Sequence, residues 1–465
     1  MASDLGEAPV ASGPRLFYGW VIVAATFCIL AIGYIVWYSF SLFLVALVRE
    51  FGWARAEVAG AFSLYVLMHA VCAPLAGRLV DRFGPRALVH GGGLLAGLGL
   101  LGCSQLTALW QLYLCFGVLA AAGVTLMGWV PGVALVGRWF SRRLGLAMGI
   151  IGAGIGLGTF IGAPPVQWVI DAYGWRAAYL GLAVVLALAP QPLALLLRAR
   201  PEELGLTRDG APPAPVPPPA AREASPHRGL DDPRVVDAAW VHTEWTVSRA
   251  IRTRRFALLF LTFGLISFAT QQTHAHHAAY LVGQGYDPLL AAAVVGAVGL
   301  ASIPGKIFLG TASDWLGRER LFTLGAGAGV LALLLLVSFA GGQSPPGLLF
   351  VYATLFALGY SVAASLGPAI TADLFYGRHY GAIYGVLMVC NGWGGATGAW
   401  LGGFIFDRTG SYQLAWLKAA AAFLVTIVCV WVVAPRRVLL TPGQARRQQA
   451  QRAGERLLPH SASRR

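Results

Sequence analysis

Charge is what this sequence carries least of. Only 12% of its 465 residues are Asp, Glu, Lys or Arg, where a soluble chain carries about a quarter. Acids are the scarcer sign, 20 against 34 basic residues, and among the basic ones only Lys306 and Lys418 are lysines. Every acid falls in a loop or at the end of an apolar run. Glu50, Glu57, Asp171, Asp287 and Asp407 lie toward one side, and Asp81, Asp314, Glu319 and Asp373 toward the other. No carboxylate stands mid-run, which argues against a pathway for organic cations, since a buried cation needs a counter-charge. The six cysteines (Cys28, Cys72, Cys103, Cys115, Cys390, Cys429) lie inside apolar runs without paired spacing. No disulfide framework and no metal site is implied. No acid, base and nucleophile converge, so an enzyme is the weakest reading and no cofactor is expected. Gly152, Gly154, Gly156 and Gly158 mimic a dinucleotide fingerprint. No strand precedes them, so they read as close helix packing.

What the chain has instead is long apolar runs, such as 21–43 and 94–136, and a mean hydropathy of +0.66. A span needs roughly 20 apolar residues, and about twelve such segments can be placed. They begin near Tyr18, Arg55, Arg86, Ala108, Arg143 and Trp175, then Phe256, Pro288, Arg320, Pro346, Gly381 and Tyr412. The expectation is an all-α membrane protein with twelve transmembrane helices. The first run, 18–45, is too long for a signal-peptide core and lacks a small-residue cleavage site, so it is read as a retained span.

Arginine-rich loops (78–86, 138–143, 198–255, 318–320, 377–379) alternate with arginine-poor ones (104–108, 283–288, 341–347). By the positive-inside rule both termini and the central loop are cytoplasmic, in a multi-pass protein of the bacterial inner (plasma) membrane. Of the net charge of +14, the tail 435–465 holds eight arginines against Glu455. That placement speaks for topology and membrane lipids as partners, not for nucleic acid. The expected organisation is a cytoplasmic N-terminus 1–17, a six-helix bundle 18–197, a linker 198–255, a second bundle 256–434 and the basic tail 435–465. The Pro/Ala-rich stretch 211–221 should be flexible. The stretch 245–256, with Trp245, Ala250 and Ile251 among arginines, should lie as a short helix on the membrane surface.

The two halves repeat. The residues from Gly77 to Gly84 (GRLVDRFG) return 233 positions later from Gly310 to Gly317 (GTASDWLG). Asp171 and Gly174 return as Asp407 and Gly410, and Phe140 as Phe375, at nearly the same offset. Duplicated halves of this kind build a central site between two rocking bundles. Asp81 and Asp314 can cap the following helix and pair with arginines, and Gly84 and Gly317 permit a tight turn.

The duplicated pattern Gly-x-x-x-Asp-(Arg)-x-Gly-x-(Arg) resembles the loop signature of the major facilitator superfamily. The stretch 137–149 (GRWFSRRLGLAMG) and the opening Tyr18, Gly19, Trp20 resemble its monocarboxylate transporter and oxalate:formate antiporter branch. Similarity spans nearly the whole chain apart from the central loop and tail. The resemblance implies the major facilitator fold, two pseudo-symmetric six-helix bundles. It also implies a monomeric secondary transporter moving a small organic anion, a monocarboxylate such as lactate, pyruvate or formate, by alternating access. Gly77, Asp81, Arg82, Gly84, Gly310, Asp314, Gly317 and Arg318 would then latch the bundles as a gating motif. Another organic acid, a neutral solute, or a non-transporting membrane sensor on the same fold are the alternatives.

Lys306 stands inside the eighth run, 289–309. A charge there costs on the order of 2.5–3.5 kcal/mol and needs a reason. Gly299, Ser302, Lys306 and Gly310 share one small-residue face on which a cavity can open. Snorkelling to the surface is the competing reading. In the resembled branch a basic residue at this place before Gly-x-x-Ser-Asp is the ligand of the substrate carboxylate. In the seventh run, His274 and His277 share a face while His276 points elsewhere. These histidines can carry a proton or contact substrate. The branch commonly has a histidine here that either His276 or His277 matches. Lys306, His274 and His277 are the candidates for proton coupling. His69 reads as a hydrogen-bonded packing residue. Tyr34, Trp37, Tyr38, Trp129, Tyr360, Asn391 and Trp393 are expected to wall a small apolar pocket around one cation, although ordinary packing explains each nearly as well. Where proton-coupled members of the branch often have a lysine and an acid, this chain has Tyr38 and Ser302. Symport, antiport and uniport all stay open.

Overall fold

The computed structural model describes residues 17–140, 143–210, 232–339, 341 and 344–457. Within it every regular element is helical, apart from one isolated bridge between Val235 and Leu439. The first span, α1, is Gly19–Phe51. The helix Arg55–Ser104 turns sharply at Gly84 and so makes two spans, α2 and α3. Leu109–Trp139 is α4, which contains a π-helical stretch, Tyr113–Ala120, and a break at Gly128. Leu144–Leu196 turns at Gly174 into α5 and α6. After the central loop come α7 (Arg254–Gly283), α8 (Pro288–Leu316), α9 (Arg318–Ser338), α10 (Pro346–Leu374), α11 (Tyr380–Thr409) and α12 (Gln413–Val433). A tail helix, α13, is Pro442–Leu457. Nine of these helices are long and apolar enough to cross a membrane. Two of the nine are double spans, and α11 makes the twelfth crossing. Every span begins within two residues of its expected start.

The internal repeat is written in the backbone. Gly84 and Gly317, and Gly174 and Gly410, take φ of 79°, 102°, 85° and 69°. A side chain rarely adopts this region, so glycine is needed where the chain reverses between spans. The expected capping by Asp81 and Asp314 is not what is found. The chain runs through Gly84 without a new cap, and α9 starts on Gly317 with no side-chain cap. The expected pairing of the two carboxylates with arginines is present: Asp81 with Arg138, and Asp314 with Arg318 at 2.7 Å, while Arg318 also reaches Asp373 at 3.0 Å.

Spans α1–α6 and α7–α12 form two bundles, and the apolar core of the first runs on into Ala275, Ala278, Ala292 and Ala399 of the second. They meet along α1–α7, α2–α11 and α5–α8. Glycine brings the backbones together: a Cβ on Gly156 would stand 2.5 Å from the carbonyl oxygen of Gly299, and one on Gly403 2.6 Å from the Ala56 nitrogen. Among the described residues, every hydrogen bond between the bundles lies from mid-span to the arginine-poor end. These bonds join Tyr38 to Tyr360, Arg55 and Ala56 to Asp407, Arg55 to Tyr412, and Ser63 to Ala396. At the arginine-rich end a Cβ on Gly145, Gly149, Gly381 or Gly385 would touch nothing within 4 Å. The described conformation is closed on the arginine-poor side. Among the described residues the gating-motif ion pairs stay inside their own bundles.

The stretch expected on the membrane surface is instead packed onto the second bundle. It forms a single turn, Val247–Ala250, and Trp245 is 9% exposed, 5.2 Å from the Phe375 ring and 4.4 Å from that of Trp240. Its aromatics find partners at the end of α10, which removes the amphipathic face an interfacial helix would need. The tail docks beside it. Val236 donates to the Val438 carbonyl, Arg436 pairs with Glu319 at 3.4 Å, and Gly443 lies against the Trp315 backbone. The Pro/Ala-rich stretch 211–221, residues 1–16, and parts of the loops 138–143 and 341–347 and of the tail lie outside the described residues.

The turn glycines and helical glycines should respond oppositely to a methyl group. Gly84→Ala and Gly174→Ala are expected to lower the apparent Tm of the purified protein, each costing about 1 kcal/mol or more. Gly91→Ala, mid-helix with open space around it, should leave it unchanged or raise it.

Candidate functional site

The mid-span meeting of α1, α5, α7, α8 and α10 leaves a tight space of about 10 Å³ lined by Tyr38, Thr159, His274, Ser302, Tyr360 and the backbones of Gly156 and Gly299. Its roof is a hydrogen bond across the bundle boundary, Tyr38 Oη to Tyr360 Oη at 2.6 Å. His274 packs against it, with ring centroids 4.8 Å from Tyr38 and 5.1 Å from both Tyr360 and Phe356. Its Nδ1 lies 2.8 Å from the Thr270 carbonyl. A carbonyl only accepts, so this nitrogen carries the proton and the neutral ring keeps its lone pair on Nε2.

Lys306 follows Ser302 by one turn on α8, toward the arginine-rich end. Its ammonium stands 5.0 Å from the centre of the Tyr360 ring. Among the described residues no carboxylate lies within ion-pairing distance of it. The side chain is half-buried and neither clasped by an acid nor turned to the loop arginines. Ser365 donates to its backbone carbonyl at 3.0 Å, which ties α8 to α10 at this level.

The other candidate residues divide. Tyr34 is buried in an aromatic cluster beside the pocket, stacked on Trp37 at 5.8 Å and edge-on to His69. His69 is the packing residue expected, its Nδ1 2.9 Å from Thr125 Oγ1. His277 lies 5.9 Å from His274, with Nδ1 3.0 Å from the Tyr352 hydroxyl and a buried Nε2 that has no hydrogen-bond partner among the described residues. His276 is placed away from the pocket. Both its nitrogens are engaged, Nε2 with the Ala399 carbonyl at 2.7 Å and Nδ1 with the Tyr412 hydroxyl at 3.0 Å.

Trp129 stands over Gly152 between α4 and α5 and does not line the enclosed space. Asn391 is half-buried on α11. Trp393, expected to share its wall, is 57% exposed on an apolar stripe with Val389 and Trp400. Two residues apart on a helix is about 200°, so the two side chains cannot face one cavity, and Trp393 faces outward. Sequence reasoning missed Thr159, Phe356 and Tyr65, whose hydroxyl, like the indole N–H of the expected Trp37, is buried without a partner among the described residues. Nothing in one sequence signals which helix of one half faces which of the other.

A two-bundle fold with a polar pocket on the bundle boundary is the geometry of an alternating-access carrier. Residues 26–353 and 320–462 match the profile of the Major Facilitator Superfamily. The chain belongs to that superfamily. It is 30% identical to Monocarboxylate transporter 13 of Bos taurus over 416 residues, 88% of this chain and 87% of the relative. The same transporter of Rattus norvegicus is 29% identical over 88% of this chain and 87% of its own. Monocarboxylate transporter 11 of Mus musculus is 28% identical over 90% and 88%. The chain is therefore a multi-pass major facilitator transporter related to monocarboxylate transporters, and not an enzyme.

In this major facilitator pocket the Gly156–Gly299 approach leaves no room for a side chain. Gly299→Ala would place a methyl 2.6 Å from the Gly156 carbonyl oxygen. It is expected to destabilise the closed arginine-poor side by about 1–3 kcal/mol, read as a lower apparent Tm. Gly310→Ala on the same helix, with open space around it, should leave the apparent Tm unchanged.

Proposed function

We propose that the chain carries a small monocarboxylate, such as lactate, pyruvate or formate, by alternating access, with the substrate carboxylate held by Lys306. The observation that carries this reading is the ammonium of Lys306 at the pocket's edge, resting on the Tyr360 ring and without a carboxylate partner among the described residues. An anion that enters from the arginine-rich side meets this cation first, then the Nε2 edge of His274 and the paired hydroxyls of Tyr38 and Tyr360. The Trp37 and Tyr65 donors lie in the adjoining aromatic cluster. The relatives named as monocarboxylate transporters support the same class.

Ser302 and Tyr38 supply no carboxylate and no second ammonium, so a coupled proton would ride on Lys306, His274 or His277. His274 is the best placed of the three, since its free nitrogen belongs to the pocket lining. The arginine distribution supports both termini and the linker on the cytoplasmic side of a bacterial inner membrane.

The test is uptake of labelled lactate, pyruvate and formate into proteoliposomes. Lys306→Ala should weaken apparent affinity by about 10- to 100-fold, the loss of a charge-assisted contact, while the variant remains folded and monodisperse. Uptake at the wild-type level by Lys306→Ala would remove the mechanism. Binding of these acids with no flux by the wild type would make the chain a sensor on the same fold.

A further inference from the structure

The arginine-poor end carries a cluster that the pocket does not use. The N-terminus of α2 has no side-chain cap of its own, because its N-cap residue is Ala54. The carboxylate of Asp407, from α11 in the other bundle, takes that place. It accepts the backbone N–H of Arg55 at 3.0 Å and that of Ala56 at 2.7 Å. The pseudo-symmetric position is built differently. The N-terminus of α8 is capped from within by Asp287 at 3.0 Å, and Asp171 accepts from Gln167 on its own helix at 2.8 Å. The cap that crosses the bundle boundary is therefore a feature of one side of the repeat.

A directional chain runs inward from this cap. The Arg55 guanidinium lies 3.7 Å above the Phe406 ring and donates to the Tyr412 hydroxyl oxygen at 3.0 Å. The Ala399 carbonyl accepts from His276 Nε2, so that nitrogen holds the ring proton and Nδ1 is an acceptor. Tyr412 then donates its hydroxyl proton to Nδ1 at 3.0 Å. Every donor in the chain has one acceptor, provided that His276 is neutral. The charged and titratable groups facing the ring are Arg55 from α2, Asp407 from α11, Tyr412 at the start of α12 and His277 on its own helix. Each Asp407 oxygen accepts a backbone N–H, and among the described residues no hydrogen bond or ion pair joins this carboxylate to the His276 ring. A proton on Nδ1 would place a second cation beside Arg55 in a fully buried site and leave the Tyr412 proton without an acceptor.

We propose that Asp407, Arg55, Tyr412 and His276 form the gate of the arginine-poor side, closed only while His276 is neutral, so that acid on that side holds it open. His276 is 0% exposed with the gate shut. It exchanges protons only when the bundles part, and a proton acquired then opposes reclosure until it leaves. His276 acts here as a positioning residue through Tyr412 and Arg55, away from the substrate pocket. The gate rests on alternating access alone and not on the ligand of Lys306.

The test is hydrogen–deuterium exchange of full-length protein in lipid nanodiscs without substrate, read as protection factors of the amides at 55–58. In the wild type these should fall about tenfold between pH 7.5 and 5.5, the loss of a helix cap of ordinary strength. Asp407→Asn should show the low value at both pH values. His276→Gln, which can still accept from Tyr412 and donate to Ala399, should keep the high value at both. Wild-type protection in Asp407→Asn overturns the gate. A wild-type value that does not change with pH, or an acid-induced fall that survives in His276→Gln, overturns the switch. Should His276→Gln fail to fold, the wild-type pH comparison decides alone. The readout needs no cargo, so failure of the carboxylate assignment leaves it standing.

Discussion

An ammonium in the membrane-spanning core with no fixed anion beside it among the described residues is the constraint around which this site is arranged. Placing such a charge at mid-bilayer costs on the order of 2.5–3.5 kcal/mol by insertion scales. The Tyr360 ring under Lys306 returns about 0.5–2 kcal/mol by a cation–π contact. The ring alone therefore does not offset the charge, and the site is completed only when an anion or the water of an open vestibule faces it. The arginines elsewhere meet a different standard. Arg138, Arg318 and Arg436 have carboxylate partners at the span ends, so each charge is matched by a fixed one.

The way the bundles meet explains how a carrier of this kind can both seal and separate. Where α5 meets α8 the contact is backbone against backbone, through Gly156 and Gly299, and not an interlock of long side chains. Such an interface excludes water when shut and leaves little to unthread when it opens. The strong polar contacts sit above it, at Tyr38–Tyr360 and at the Asp407 cap of α2. The pocket thus lies beneath one closed end, and the arginine-rich halves of α5 and α11 have glycines with open space beside them.

The spans were readable because lipid imposes one rule on every segment: an apolar run of sufficient length, ended by charge or glycine. Gly84 with Gly317, and Gly174 with Gly410, repeat in sequence and share the same positive φ, so the duplication predicted a backbone feature as well as a fold. Lys306 stood out for the same reason, as a lone charge in an apolar run. The walls of the pocket were harder to read. Asn391 and Trp393 looked like a pair by proximity, although helical geometry turns them to opposite faces. His276 already pointed away from His274 and His277 by helical period, and the family resemblance drew it back toward the substrate. The linker aromatics suggested a membrane surface because their true partner, Phe375, lies more than a hundred residues onward. Pairings between halves, including Arg55 with Tyr412, leave no trace in local pattern.

The central claim is that a carboxylate supplies the charge that Lys306 lacks. It is tested most directly by titrating purified protein with lactate and with its uncharged amide, in the wild type and in Lys306→Ala. The account predicts that wild type binds the acid and not the amide, and that the variant loses this preference. Equal binding of the two by the wild type, or an unchanged preference in the variant, would contradict it.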